Sequence, residues 1–156
     1  MNYSEVIDKM QKWCAYQDRS QQQVLQQLAK LAIFGEAASS VLAELIAEGF
    51  VDEERFARSY ARGKFRIKKW GRIRIRQELR IKGVPENVIK LGLEEIDNSE
   101  YINVIRDFIS KETFSQRSDY FKFKNKLYGK GFEPEIIEQV FKETTKIQIN
   151  DIGFEE

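Results

Sequence analysis

Apolar residues recur at three- and four-residue spacing over most of the chain, which is the period of an α-helix. One such stretch runs through Ile75 and Leu79 and stops at Gly83, a residue suited to the left-handed position after a helix C-terminus. Pro85 and Glu86 then suit the first turn of a second helix. This second helix is predicted to place three residues on one face: Val88, Ile89 and Leu93.

A third helix is predicted after residue 97, with Asn98 or Ser99 as its N-cap. Its inward residues are predicted to be Val104, Ile105 and Phe108. The alternation of arginine and isoleucine at 72–76 would by itself indicate a strand. The residues that follow it are strong helix formers, so we predict a helix there, with Ile73 at its start or outside the core.

The pattern repeats at a constant offset of 48 residues. The matching pairs are Ile73 with Phe121, Ile75 with Phe123, Leu79 with Leu127, Gly83 with Gly131, Ile89 with Ile137 and Leu93 with Phe141. An earlier copy matches Val41, Leu45, Phe56 and Tyr60 at the same offset. Its first helix aligns at 51, because about three residues are inserted around 32–35. Three copies of one helical unit are therefore predicted.

The predicted fold class is all-α, an elongated, curved tandem array of three-helix repeats without a deep enclosed pocket. A capping helix at residues 1–19 would bury Val6, Ile7, Met10, Trp13 and Cys14. The predicted repeats are 20–66, 67–114 and 115–156, the last truncated and ending in a short tail that is expected to fray.

Charge changes this picture, because the net charge of +1 hides an uneven distribution. The segment 55–82 holds twelve bases and one acid, a net charge of +11, whereas the other residues hold 14 bases and 24 acids, a net charge of −10. Most of these bases fall on a helix predicted to begin after Asp52, its N-cap, and on the helix that follows it.

Four arginines of this helix, Arg55, Arg58, Arg62 and Arg66, fall within about 80° of its circumference at about 100° per residue. Such a run is either a solvated face or an anion-binding face. We favour the second reading, because like charges on one face repel each other. The candidate contact residues are Arg55, Arg58, Arg62, Lys64, Arg66, Lys68, Lys69, Arg72, Arg74, Arg76 and Arg80.

The anion is either a phosphate backbone or an acidic protein surface. Tyr60, Phe65 and Trp70 lie among the bases and could stack on nucleobases. We favour packing for them, with Tyr60 in the core position of Phe108 and Trp70 at a junction between units.

Composition argues against catalysis. Histidine is absent and Cys14 is the one cysteine, so no metal site, disulfide, cofactor or catalytic residue is predicted. The absence of a disulfide pair and of a long apolar stretch favours a protein of the reducing cytoplasm.

Two motifs carry a resemblance to a known family. The run from Gly49 to Ala57, GFVDEERFA, resembles the RecX motif of glycine, an aromatic residue and DERFA. About fifteen residues later, Gly71, Ile75, Glu78, Leu79 and Lys82-Gly83 match the family pattern GxxxIxxELxxKG. The resemblance covers roughly residues 6–143. The first repeat departs from it, with Gln23 and Gln27 in place of charged residues, which affects partner contacts rather than the apolar frame.

The resemblance implies tandem three-helix units and a cytoplasmic protein that binds in the helical groove of RecA on single-stranded DNA. The protein is expected to be a monomer. RecX proteins there inhibit strand exchange, ATP hydrolysis and coprotease activity. The expected function is therefore that of a non-catalytic regulator of the RecA filament, with DNA contact inside the filament. The alternative is a helical module that binds DNA directly through its basic face.

Overall fold

A computed structural model describes residues 1–144. These residues form nine α-helices and no strand, which confirms the all-α prediction; the end of the predicted C-terminal tail lies outside the described residues. The helices are α1 (Tyr3–Tyr16), α2 (Gln21–Lys30), α3 (Gly35–Ala47), α4 (Glu53–Lys68), α5 (Arg72–Ile81), α6 (Glu86–Leu93), α7 (Asn98–Ser110), α8 (Arg117–Gly129) and α9 (Pro134–Thr144).

The chain forms two compact units. Unit 1 comprises Met1–Arg62 and Glu78–Glu95, and unit 2 comprises Gly63–Gln77 with the described part of Ile96–Glu156. The chain passes from one unit to the other within α4, within α5 and after Glu95.

The core of unit 1 is mainly aliphatic. The N-terminal helix contributes the buried residues Val6, Ile7, Met10 and Cys14, as predicted, while Trp13 is only partly buried. They pack with Val24, Leu28, Ala38, Val41, Leu45 and Val51.

The core of unit 2 is rich in aromatic rings. Tyr101 lies 5.2 Å from Phe132 between ring centroids, and Phe114 lies 5.3 Å from Phe123. The equivalent apolar positions are buried in both copies, Ile75 with Phe123 and Leu79 with Leu127. Large aromatic pairs of this kind stabilise a core beyond the area they bury.

The equivalent helices α5 and α8 end in the same way. After α5, Val84 donates its N–H to Leu79 O at 3.1 Å, and Gly83 takes a φ of 82°. After α8, the N–H of Phe132 donates to Leu127 O at 3.2 Å, with Gly131 at a φ of 98°. Both ends are Schellman caps, in which a left-handed residue lets the last carbonyls find donors.

The first copy keeps this cap without glycine. After α2, Ile33 donates its N–H to Leu28 O at 2.9 Å, and Ala32 occupies the left-handed position with a φ of 61°. Ala32 is 51 residues before Gly83, so the insertion follows the cap rather than replacing it. A β-carbon in this conformation is strained, so the cap forms at some cost in stability.

The start of α5 is capped by other parts of unit 2. The N–H groups of Gly71 and Ile73 donate to Lys130 O and Gly131 O, at 2.8 and 3.0 Å. A β-carbon on Gly71 would lie 2.3 Å from the backbone of Gly131. A β-carbon on Gly131 would in turn lie 2.6 Å from the backbone N of Arg74, so this close approach of two backbones requires glycine at both 71 and 131.

Some local predictions need correction. Asp97, not Asn98 or Ser99, caps α7, because its carboxylate accepts the N–H of Glu100 at 3.0 Å. Pro85 is the N-cap of α6 rather than a residue of its first turn.

The inward face of α7 is rotated from the predicted one. Tyr101, Ile105 and Ile109 are buried, while Val104 and Phe108 are only partly buried. The rotation follows from Tyr101, whose hydroxyl finds hydrogen-bond partners inside unit 2 and allows the whole ring to be buried. Ile73 is 38% exposed within α5, as expected.

Candidate interaction surface

The basic segment lies on α4, on the turn at 69–71 and on α5. Helix α4 begins as predicted, since the N–H of Arg55 donates to Asp52 Oδ1 at 2.9 Å. The positions of the basic residues along the two helices agree with the prediction. The surroundings of their side chains do not agree, because acidic residues from distant parts of the chain lie among them.

In unit 1, Glu95 forms ion pairs with two of the four arginines that share one face of α4. Arg58 Nη1 lies 3.0 Å from Glu95 Oε2, and Arg62 donates to the other oxygen of the same carboxylate. Arg58 also lies 2.9 Å from Glu54 and 3.6 Å from Glu94. Hydrogen bonds from Arg58 and then Arg62 hold the pKa of the Glu95 carboxyl below its usual range.

Other arginines of the segment are also paired within their unit. Arg55 Nε lies 2.8 Å from Asp18 and the same guanidinium donates to Gly49 O at 3.2 Å. Arg80 lies 2.8 Å from Glu86, and Arg66 lies 3.8 Å from Glu100. At these partly exposed positions ion pairs stabilise modestly, but they fix where the side chains lie.

Arg72 belongs to a polar network in unit 2. Its guanidinium lies 3.2 Å from Glu133 and 3.9 Å from the centre of the Tyr101 ring. The N–H of Arg72 donates to the Tyr101 hydroxyl at 2.9 Å, and that hydroxyl donates to Glu133. Burial and then the Glu133 carboxylate raise the pKa of Tyr101 far above its ordinary value, so the hydroxyl stays protonated.

The like charges of these arginines are therefore compensated, and the expected repulsion between them is wrong. The acids that balance them lie within their own unit. An external anion is not needed to explain why they lie close together. The assignment of partner contacts to the eleven basic residues stays a prediction, and nine of those residues fall into two groups in the structure.

The second group lies where α4 turns into α5. Lys68, Lys69 and Arg74 have no carboxylate within ion-pair distance among residues 1–144. Arg74 instead lies 4.1 Å from the centre of the Trp70 ring, with Lys64 at 5.0 Å from the same ring. Arg76 is partly buried on α5. Lys69 has a φ of 57°, a left-handed conformation that is uncommon for a residue with a β-carbon.

The three aromatic residues of the segment are packed. Phe65 is 3% exposed, which rules it out as a platform for bases, and its ring lies 5.6 Å from Tyr101. Trp70 is in contact with cations, as described above. Tyr60 is partly buried, 5.8 Å from Phe56 and 5.5 Å from the Lys82 ammonium. Packing, the favoured reading, agrees with these surroundings.

Glu95 and Tyr101 hold the arginines in place, and neither is among the predicted site residues. Glu95 lies 37 residues from Arg58, beyond the reach of any local spacing rule. The 48-residue repeat could have pointed to Tyr101, because Glu53 lies 48 residues before it and has an equivalent role. The Glu53 carboxylate accepts the N–H of Gln21 at 2.9 Å, at the start of α2, as Tyr101 does for Arg72 at the start of α5.

The described residues contain no cluster of three or more acidic or cysteine side chains arranged to hold a metal ion. None of the helices of residues 1–144 is long and apolar enough to cross a bilayer.

Comparison with known proteins places these features in a family. The family model described as "RecX, second three-helix domain" matches residues 52–93, which are α4, α5 and α6. This frame begins at α4, whereas the predicted repeats begin at α2 and α5. A 48-residue period has no preferred starting point, so the predicted boundaries stay a prediction.

Related proteins match most of the chain. Regulatory protein RecX of Geobacillus thermodenitrificans is 31% identical over 128 residues, 79% of this chain and 48% of that protein. The Lactobacillus johnsonii protein of the same name is 30% identical, with 88% of this chain and 52% of that protein covered. The chain thus spans about half the length of these relatives. It spans 84% of the shorter Prosthecochloris aestuarii regulatory protein RecX, at 28% identity.

Solved structures share the fold. The crystal structure of RecX from Lactobacillus salivarius has a TM-score of 0.82 at 22% identity, covering 92% of this chain and 97% of that one. A crystal structure of a regulatory protein RecX gives 0.78, with 88% and 70% covered. Residues 52–93 match a domain of the RecX family, the named relatives match most of this chain, and the solved structures have the same helical fold. This chain therefore belongs to the RecX family.

Proposed function

We propose that this protein is a non-catalytic regulator that binds the RecA–single-stranded DNA filament and lowers its recombinase, ATPase and coprotease activities. The observation that carries the proposal is family membership, since the relatives are named regulatory proteins. The chain's two motifs are those expected of a RecX protein. It acts on RecA in the cytoplasm and needs no cofactor.

The contact surface in this proposal is the basic segment, with its two groups in different roles. The ion-paired arginines, such as Arg58, Arg62 and Arg72, hold the helices of their unit in place. The cations at the α4–α5 turn, Lys68 and Lys69 with Arg74 beside them, meet the partner. This division is supported by the exposure of Lys68 and Lys69 and by their lack of carboxylate neighbours in the described chain.

The test is a titration of the full chain onto a preformed filament of RecA on single-stranded DNA. ATP turnover is expected to fall at concentrations near or below that of RecA. An unchanged turnover across a hundredfold range of concentration would overturn the proposal.

Direct DNA binding is the second candidate, favoured by the same group of cations at the α4–α5 turn. A phosphate-binding module predicts tight binding to naked DNA and a steep fall in affinity with salt. Weak binding at physiological salt, measured by fluorescence anisotropy while the filament is still inhibited, would reject this candidate.

A further inference from the structure

A groove runs along α7 in unit 2, with a volume of about 320 Å³. It is lined by Lys69, Asn103, Val104, Asp107, Phe108 and Lys111. This volume lies at the lower end of the range for ligand-binding pockets, about 300 to 1,000 Å³.

The floor of the groove is apolar. Val104 and Phe108 are left partly exposed by the rotation of α7, although the sequence pattern places them in the core. The Phe108 ring is held at an edge-on angle, 6.2 Å from Phe132. The contact with Phe132 therefore holds the Phe108 ring in place at the floor of the groove.

The rim is basic. Two lysines line the groove, Lys69 and Lys111. The backbone of Lys69 is left-handed and strained, and its ammonium donates to Arg66 O at 3.0 Å. The ammonium of Lys130 lies 5.4 Å from the Phe108 ring, so a third lysine adjoins the floor. Asp107 is the one carboxylate among the lining residues, and it lies 3.0 Å from Lys111.

We propose that this groove binds an acidic segment of a partner protein, with one apolar side chain on the floor and flanking carboxylates on the lysines. Asn103 and Asp107 offer oxygen acceptors that suit the N–H groups of a peptide backbone. A phosphodiester backbone has no such donors. The charge complementarity of the rim and the apolar floor together favour a peptide over a nucleic acid.

This proposal goes beyond the regulation of RecA and does not depend on it. Its test uses no RecA, so the two proposals can fail separately. The probe is a fluorescein-labelled peptide, Glu-Asp-Glu-Leu-Asp-Glu, titrated with the full chain by fluorescence anisotropy. Backbone amide shifts in NMR spectra locate where it binds.

Lys111→Glu is expected to weaken peptide binding at least ~5-fold, because a charge-assisted contact is lost and repulsion replaces it. Val104→Ser is expected to weaken it at least ~3-fold through loss of the apolar floor. Lys126→Glu is the matched control, an exposed lysine on α8 outside the groove, and is expected to change affinity less than ~2-fold. Circular dichroism melts show whether each variant stays folded.

The groove assignment is supported if the leucine peptide binds, if the amide shifts centre on α7 and if both groove variants weaken binding. It is overturned if Glu-Asp-Glu-Ser-Asp-Glu binds equally well, because the floor then has no role. It is also overturned if a single-stranded oligonucleotide shifts the same amides with higher affinity, or if no shift appears at millimolar peptide.

Discussion

Glu95 accepts hydrogen bonds from two arginines of α4 that sequence spacing places on one face. Each carboxylate oxygen has its own guanidinium, so one acid balances two bases that would otherwise repel each other. Asp18 and Glu133 have similar places beside Arg55 and Arg72. At this scale the excess positive charge of the segment is largely compensated inside the protein.

Glu95→Gln is expected to lower the free energy of unfolding at neutral pH and to change its pH dependence. The pKa of Glu95 is lower in the folded state than in the unfolded chain. The ionised carboxylate therefore contributes fully to the free energy of unfolding above the ordinary glutamate pKa of about 4.3, and this contribution is lost as pH falls through the folded-state pKa. The difference between the variant and the wild type should therefore shrink between about pH 5 and pH 3.

Urea unfolding at pH 7 and at pH 3 measures this difference. Glu112→Gln serves as the control, since Glu112 is exposed and makes no ion pair with the described residues. A difference for Glu95→Gln that is equal at both pH values would show that the ion pairs contribute nothing.

At the scale of elements, the ends of the first helix of each repeat are built alike. The end of α2, of α5 and of α8 is a Schellman cap whose left-handed residue is Ala32, Gly83 and Gly131 in turn. The turn after α8 also supplies the carbonyls that accept the first N–H groups of α5. The turn after α5 is close to α2, since a β-carbon on Gly83 would lie 3.3 Å from the Gln22 side chain. The first N–H of α2 instead donates to the Glu53 carboxylate, at 2.9 Å.

Ala32→Gly is expected to raise the free energy of unfolding by about 0.5 kcal/mol. Glycine removes the strain of a β-carbon in the left-handed conformation, about 1 kcal/mol, and part of that gain is offset by the greater entropy of the unfolded chain. Thermal and urea unfolding measure the change. Ala43→Gly, in the exposed interior of α3, should lower stability by about 1 kcal/mol. If both variants are destabilised alike, the cap at Ala32 is not strained.

Gly71→Ala is expected to lower the free energy of unfolding by ~3 kcal/mol, at the upper end of the cost of overpacking, because the new β-carbon would lie 2.3 Å from the backbone of Gly131 and Phe132. Neither backbone can move away without breaking the hydrogen bonds at the start of α5. Gly63→Ala is the matched variant, since a β-carbon there meets nothing within 4 Å, and it should stabilise α4 by about 0.5 to 1 kcal/mol. Wild-type stability of Gly71→Ala would contradict this close approach.

Over the whole molecule, the features that follow the 48-residue repeat are those that could be predicted from the sequence. Burial at Ile75, Leu79 and their partners 48 residues later follows from the apolar period alone. The pairing of Glu95 with Arg58 depends on contacts between helices, which cannot be predicted from the spacing of apolar residues. The rotation of α7 depends on the hydrogen bonds that allow Tyr101 to be buried. The contact surface on RecA stays a proposal because apolar periodicity carries no information about partners.

We propose that the cations of the α4–α5 turn mediate inhibition of the RecA filament. Lys68→Glu with Lys69→Glu tests it, against Lys122→Glu with Lys126→Glu, exposed lysines of α8 with the same change in charge. Reversal of Arg58 and Arg62 would be a poorer test, because it also breaks the ion pairs to Glu95. Melting temperatures establish that both double variants are folded.

The measurement is the concentration of each protein that halves ATP turnover by RecA on single-stranded DNA. The turn variant is expected to need at least ~10-fold more protein than the wild type, the equivalent of about 1.4 kcal/mol in binding, while the α8 variant stays within ~2-fold. Equal inhibition by the folded turn variant and the wild type would contradict the proposed contact.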